Sequence, residues 1–392
     1  MHREFHQQVQ TELDAMADKG TLKSFQHLQA PMDAHTRMEG KGDILIMSSN
    51  NYLGLASEPS VIEAGKRALD EYGAGTASVR FICGTFEIHR DLEQRLAAFF
   101  GTERALSYVA CWNANTGLIP TILGPDDVVI SDELNHASLI DGIRLASKTP
   151  RAIYRHADME HLAEILKEHS GARRKLVVTD GVFSMEGDLA PLDRLVEVCR
   201  EHGAISLVDD SHGTGVVGKT GRGVAEHFGV QDQVDIYTST LGKALGGAAG
   251  GFVASSAPVI GLLEQASRPQ IFSNALPPTV SASALEALRV LDENPGRVAE
   301  LQRKVGFCRQ LLAERGYEVN DHPSAIIPIM IGETAKAIEA SSALLDKGVF
   351  VTGFGYPVVP EGTARIRVQV SYAHSEDDFV RFADALDSVM KG

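Results

Sequence analysis

The chain has few of the residues that build crosslinked or metal-bound folds. Its four cysteines, Cys83, Cys111, Cys199 and Cys308, lie far apart, with no C-x-x-C and no Cys/His metal spacing. A disulfide framework or a metal centre is therefore not expected; reduced, mostly buried thiols in a cytoplasmic protein are. Positive charge is also short: 37 Lys and Arg stand against 52 Asp and Glu, for a formal charge of −15. That balance disfavours nucleic acid and anionic membranes as partners, and an anionic substrate would need a local basic pocket. Long hydrophobic runs are missing. The longest uncharged stretch, residues 244–263, is dominated by Gly, Ala, Ser and Pro and is too weakly apolar to span a membrane. The opening MHREFHQQVQTELDAM is too polar for a signal peptide.

What is present is an alternation. After a helix ending near residue 19 and an irregular arm, short apolar runs alternate with amphipathic stretches as far as about residue 255. The runs are ALSYVA (105–110), DVVIS (127–131), RAIY (151–154), KLVVT (175–179), AISLV (204–208), DIYT (235–238) and GGFVA (250–254). Nearly all-apolar strands separated by helices predict an α/β fold with a mainly parallel sheet of about seven strands, covered on both faces. From about residue 277 the pattern changes to one long helical region (277–315), then YEVN, AIIPIM, VFV and ARIRVQV. A last helix starts at Ser375, where S-E-D-D forms a capping box. The expected division is an N-terminal helix and arm (1–45), a large domain (46–280) and a smaller α+β domain (281–392), with the arm packed on the latter.

One string points elsewhere. Residues 213–220, GTGVVGKT, satisfy G-x-x-x-x-G-K-[ST], the phosphate-cradling loop of nucleotide triphosphatases. Such a loop must open a substantial helix at its Lys-Thr, yet Gly221 and Gly223 stand where the first turn would form. The match is rejected as a nucleotide site, and its neighbours Asp209 and His212 are the better candidates. Its glycines are expected to let the backbone turn away beside a bound ligand.

Function in such a sheet gathers in the loops after the strands' C-terminal ends. Those loops read C-W-N-A-N-T-G, D-E-L-N-H-A-S with His136, D-G-V-F-S-M-E-G-D with Ser184, D-D-S-H-G-T-G with Asp209 and His212, and S-T-L-G-K-A-L-G-G with Lys243. Singly, each has a plain structural explanation as a cap, a turn or a surface residue. Together they suit pyridoxal phosphate: a lysine in a tight glycine-rich loop can form a Schiff base with it. Asp209 would pair with the pyridine nitrogen, His136 would stack on the ring, and Ser184 and His212 would bond its 3′ oxygen. The Cys111 and Trp112 amides and the Thr240 hydroxyl would hold the phosphate.

These residues sit in stretches that resemble the α-oxoamine synthases, within the fold-type I pyridoxal-phosphate enzymes. The stretches are S-N-N-Y-L-G-L (49–55), G-A-G-T-A-S-V-R-F-I-C-G-T (73–85), S-D-E-L-N-H-A-S-L-I-D-G (131–142), T-D-G-V-F-S-M-E-G-D (179–188), V-D-D-S-H-G-T-G (208–215), T-L-G-K-A-L-G-G (240–247) and G-T-A-R-I-R-V-Q-V-S-Y-A-H (362–374). They occur in family order from about residue 45 to the end. The resemblance implies that Lys243 also removes the α-proton of an amino acid whose carboxylate Arg367 grips, with Asn50 beside it. It implies that the resulting carbanion attacks an acyl-CoA thioester and expels CoA. It further implies a homodimer in which Ser273 and Asn274 reach the neighbouring subunit's phosphate. S-R-P-Q-I-F-S-N-A-L-P-P (267–278) and G-F-G-Y-P-V-V-P (353–360) are most similar to members that join glycine to acetyl-CoA. Sister activities use alanine or serine with longer acyl thioesters and lose CO2. Departures from the family pattern are Trp112, Glu186 and Tyr372, of which Trp112 and Tyr372 are expected to bear on the acyl chain; Arg37 and Arg268 are candidates for the CoA phosphates.

Overall fold

A computed structural model describes residues 2–19, 21–22 and 24–392. All seven expected apolar runs form strands of one sheet: β1 (Arg104–Tyr108), β2 (Val128–Asp132), β3 (Arg151–Tyr154), β4 (Lys175–Asp180), β5 (Ile205–Asp209), β6 (Ile236–Thr240) and β7 (Gly251–Ser255). Their order is β1-β7-β6-β5-β4-β2-β3. Every pair from β6 to β3 is parallel, whereas β7 runs antiparallel to both β6 and β1. The segment between β6 and β7 is too short for a crossover helix, so the chain can only return antiparallel.

The apolar runs are continuous because both faces are covered. On β2, Val128 and Ile130 join one buried cluster while Val129 joins the other, and β4 divides Val177 from Leu176 and Val178 in the same way. A second sheet pairs β8 (Ile326–Gly332) and β9 (Thr352–Phe354) on either side of β10 (Ala364–Gln369), all antiparallel. In a third, the arm hairpin His35–Met38 and Gly42–Ile46 takes Val349–Phe350 as its parallel neighbour, so the arm is stitched to the C-terminal part of the chain. The last helix, Glu376–Met390, carries the expected capping box between Ser375 and Asp378.

Three details differ from the sequence reading. The helical region 277–315 is broken at Asn294–Pro295 into Pro278–Glu293 and Gly296–Glu314, since proline cannot donate within a continuous helix. YEVN (317–320) is not a strand. Its loop is gathered by buried Arg309, which donates to the carbonyls of His322, Ser324 and Ile326 and to Asn320. Of the free cysteines, Cys199 and Cys308 are buried and Cys111 is half-buried, but Cys83 is exposed.

The stretch 213–220 opens no helix; only the short turn Val224–His227 follows. Lys219 is exposed, and Thr220 donates to Glu226 instead of facing a phosphate. The glycines wrap the buried Asp210 carboxylate: a side chain at Gly181, Gly213 or Gly223 would run into it. The Asp210 carboxylate accepts the Val224 N–H at 3.0 Å, while its backbone carbonyl accepts the Gly213 N–H at 3.2 Å, and burial lifts the carboxyl pKa to about 7. Gly223→Ala combines a backbone φ of +92° with overlap on that carboxylate. It should cost about 3 kcal/mol or more in urea unfolding. Gly203→Ala, at a φ of +58° in open space, should cost only about 1 kcal/mol.

Candidate active site

The strand ends bring the predicted residues to one edge of the sheet. β4 ends at Asp180 and β5 at Asp209, paired side by side across the ladder and both buried. The Asp209 carboxylate accepts Asn115 Nδ2 at 2.6 Å, Ser211 Oγ at 2.5 Å and the Ser211 N–H at 3.1 Å, with Cys111 Sγ 3.7 Å away. Asp180 accepts the His136 N–H at 2.8 Å. Burial and then the neighbouring Asp209 push the Asp180 carboxyl well above the usual carboxylate range.

His136 caps the helix Ala137–Leu145, its Nδ1 accepting the Ser138 N–H, and it keeps an exposed ring beside Trp112, which meets it edge-on at 6.1 Å. His212 is buried, with Nδ1 2.8 Å from the Tyr52 hydroxyl. Desolvation, reinforced by Lys243 and Arg367, holds its pKa well below the usual histidine value. The loop around Lys243 is as tightly packed as its composition suggests: side chains at Gly215 and Gly247 would touch Ala244 and Ala56 at 2.7 Å. Burial draws the Lys243 pKa down to about 8 against the opposing attraction of Asp209.

Arg365 and Arg367 lie on β10 and do different things. Arg365 is spent on Glu186 Oε1 at 2.9 Å and the Met185 carbonyl at 3.0 Å. Arg367 donates to the Ser184 carbonyl at 2.9 Å, stacks over Phe354 at 4.6 Å, and has no carboxylate partner among the described residues; its Nε is buried and unpaired. The helix Cys111–Ile122 begins beside Thr240, because Gly251 pairs with Thr240 and its bare Cα lies against the Cys111 backbone. First-turn N–H groups and a hydroxyl thus meet at a helix N-terminus, a setting that suits a phosphate. With a buried carboxylate, an exposed imidazole face and a lysine of lowered pKa around the same edge, the residues fit pyridoxal phosphate.

Ser273 and Asn274 are not brought into this group. They follow the short helix Arg268–Phe272 and make no hydrogen bond to the site residues. Tyr372 has the Arg297 guanidinium 4.5 Å and the Lys304 ammonium 5.0 Å from its ring centre, and its N–H donates to the Tyr52 carbonyl. Trp112, by contrast, stands at the mouth of the site, 44% exposed.

Several residues of the site are not marked by loop position in the sequence. Beside Asn50 stands Gln369, which donates to Asn50 Oδ1 and, at 2.9 Å, to the Tyr52 hydroxyl. Gln369 is a polar residue in the apolar alternation of V-Q-V, which could have flagged it. Asn115 and Tyr52 fall within C-W-N-A-N-T-G and S-N-N-Y-L-G-L, where nothing local marks their partners. His156 had no signal at all: it bridges Asp132 at 3.0 Å and Asp188 at 2.7 Å and meets Phe183 edge-on at 4.3 Å.

Residues 42–386 match the family described as aminotransferase class I and II. The chain belongs to that family. It is 47% identical over 384 residues to the 2-amino-3-ketobutyrate coenzyme A ligase, mitochondrial, of Mus musculus, covering 97% of this chain and 92% of the relative. It is 42% identical over 393 residues to the 2-amino-3-ketobutyrate coenzyme A ligase of Escherichia coli (strain K12), covering 100% and 98%. It is also 43% identical over 368 residues to the 8-amino-7-oxononanoate synthase of Symbiobacterium thermophilum, covering 94% and 93%. Among solved structures, the serine palmitoyltransferase of Sphingomonas wittichii superposes with a TM-score of 0.92 at 33% identity, covering 98% and 96%. The fold is therefore the fold-type I one, shared with α-oxoamine synthases.

His156 ties the end of β2 to the loop that carries Ser184. Burial alone would lower its pKa, but hydrogen bonds to Asp132 and Asp188 outweigh that and raise it to about 10. A raised folded-state pKa contributes stability that is full below the unfolded value near 6.5 and gone above 10. His156→Gln should therefore cost about 3 kcal/mol at pH 6. The gap between variant and wild type should narrow steadily from pH 6.5 to 10 in chemical unfolding; a pH-independent gap would refute the ion-pair account.

Proposed function

We propose that this chain is a pyridoxal-phosphate-dependent acyltransferase that joins glycine to acetyl-CoA, giving 2-amino-3-oxobutanoate and CoA. The observation that carries the reading is Arg367, a half-buried guanidinium with no carboxylate partner among the described residues, at the edge shared by Lys243, Asp209 and His212. It supplies a planar pair of donors for an amino-acid carboxylate. The relatives named 2-amino-3-ketobutyrate coenzyme A ligase support the choice of glycine and acetyl-CoA. S. paucimobilis serine palmitoyltransferase with bound PLP–myriocin aldimine, at 32% identity, supports the cofactor.

Bound pyridoxal phosphate supplies a conjugated ring that can take up the electron pair left when the amino acid loses its α-proton. Lys243 would hold the cofactor through Nζ. With a pKa near 8, a fair fraction of that amine is uncharged at neutral pH, as both a nucleophile and a proton acceptor require. Asp209, fixed by Asn115 and Ser211, would keep the ring nitrogen protonated. His136 would cover one ring face. His212 and Ser184 would meet the 3′ oxygen, and the Cys111 and Trp112 amides with Thr240 the phosphate. Arg367 would hold the glycine carboxylate, and Asn50, whose Oδ1 is occupied by Gln369, would offer its NH2 group nearby.

A homodimer belongs to this proposal. Phe81, Ile82 and Phe272 are each at least 65% exposed, and a second copy would cover them and let Ser273 and Asn274 complete the neighbouring phosphate site. Cytoplasmic placement is supported by the free cysteines, although the mouse relative is named mitochondrial. No described helix is long and apolar enough to cross a membrane. A second reading, an 8-amino-7-oxononanoate synthase, is favoured by the relative at 43% identity.

Purified protein given pyridoxal phosphate should be yellow, and glycine should shift its spectrum. CoA release should be fastest with glycine and acetyl-CoA; release only with alanine and a pimeloyl thioester would favour the second reading. Lys243→Ala should lose about 10³-fold or more in turnover. Arg367→Lys should raise KM for glycine by about tenfold to a hundredfold, with a smaller change in kcat.

A further inference from the structure

The carboxylate of Asp209 and the ring of His136 are joined by an unbroken line of hydrogen bonds through two buried side chains. Asn115 Nδ2 donates to Asp209 Oδ2 at 2.6 Å and to Ser138 Oγ at 2.9 Å. Ser138 Oγ lies 2.8 Å from His136 Nδ1, and the Ser138 N–H donates to the same nitrogen at 3.2 Å. Asn115 and Ser138 are 0% and 2% exposed, so water does not compete for these groups.

The direction of each proton follows from the partners. A carboxylate can only accept, so the NH2 end of Asn115 faces Asp209, and its second hydrogen goes to Ser138 Oγ. Asn115 Oδ1 is buried without a partner, so the amide is oriented wholly by what its NH2 group donates. Ser138 Oγ, with a lone pair engaged by Asn115, turns its own hydrogen toward His136 Nδ1. The hydroxyl at 2.8 Å and the Ser138 N–H at 3.2 Å then both donate to that nitrogen, so it carries no proton, and the imidazole proton sits on Nε2. The two helices meet closely enough for this because Gly142 has no side chain; a Cβ there would stand 2.9 Å from the Asn115 carbonyl.

We propose that Asn115 is a positioning residue that couples the Asp209 carboxylate to the His136 ring through Ser138, holding His136 as its Nε2–H tautomer. The proposal builds on the pyridoxal-phosphate reading of the site, in which Asp209 and His136 meet the same ring at its nitrogen and on its face. Asn115 then sets both at once, and it does so from outside the reacting atoms.

Two measurements test it. The first is the dissociation constant of pyridoxal phosphate, from absorbance titration of the full-length protein and its variants. Ser138→Ala should weaken binding about threefold to tenfold, and Asn115→Leu about tenfold to a hundredfold, because the second loses a bond to a charged group. Adding Ser138→Ala to Asn115→Leu should weaken it by less than about twofold more, since the hydroxyl has already lost its orientation. Factors that simply multiply would overturn the coupling. The second is the His136 tautomer by ¹⁵N NMR of histidine-labelled protein without cofactor, its signal assigned by loss in His136→Gln. Wild type should show an unprotonated Nδ1, and Ser138→Ala and Asn115→Leu a partial shift toward the Nδ1–H form, because the longer backbone bond at 3.2 Å is then left without the oriented hydroxyl; an unchanged tautomer in both refutes the proposal. If Asn115→Leu does not fold, Asn115→Ser takes its place in both measurements. A wild type that binds no pyridoxal phosphate sinks the proposed function, while the tautomer result still decides this inference.

Discussion

Asp180 and Asp209 end adjacent parallel strands at the same level, side by side, and both are buried. Two carboxylates so placed are costly unless donors surround them. Much of the site can be understood as the answer to that cost. Asp209 draws in Asn115 and Ser211, and Asp180 draws in the backbone of His136. Each donor comes from a different loop or helix, so satisfying the pair fixes where those elements begin. Lys243 completes the arrangement from the β6–β7 loop, and its own pKa falls because it shares the same desolvated space. A third buried carboxylate, Asp210, is met by the Val224 N–H and by glycines that leave it room. Stability and chemistry are here the same set of hydrogen bonds.

The loop after β4 joins the two sheets. Its carbonyls at Ser184, Met185, Glu186 and Gly187 accept from Arg367, Arg365, Asn320 and Ser324, all of which belong to the C-terminal part of the chain. On the other side, His156 holds Asp188. Ser184 is thus fixed by contacts that converge from the end of β2, from the loop before β8 and from β10. The same bonds explain why the two arginines of A-R-I-R part company: Arg365 finds Glu186, and Arg367, two residues on and facing the same side of β10, finds only a carbonyl and a glutamine. A guanidinium left that way, half-buried, is suited to a carboxylate that arrives from solution.

Much of this was legible in the residue order. Continuous apolar strands between helices required a sheet covered on both faces, and the polar loops after those strands had to share one edge. Asp209, His212, His136 and Lys243 are legible on that ground, each near a strand end. The nucleotide-loop string GTGVVGKT failed by the same local logic, since glycines cannot open the helix it needs. What escaped notice were residues inside elements. Asn115 lies in the second turn of a helix and Gln369 in the middle of a strand, where position along the chain says nothing about a partner roughly a hundred residues away or more.

Local order, then, determined which segments are strands and helices, where the helix caps fall, and which loop residues gather at the sheet's edge. These follow from periodicity, capping and the handedness of parallel crossovers, all of which act over short stretches of chain. Only the tertiary structure decided which charges find partners. Among the described residues Arg367 has no carboxylate partner, Arg297 and Lys304 both approach the Tyr372 ring, and Asn115 bridges Asp209 to Ser138. The reason is that an ion pair or a buried hydrogen bond depends on distance in space, and no local pattern records which distant side chain will fill that place.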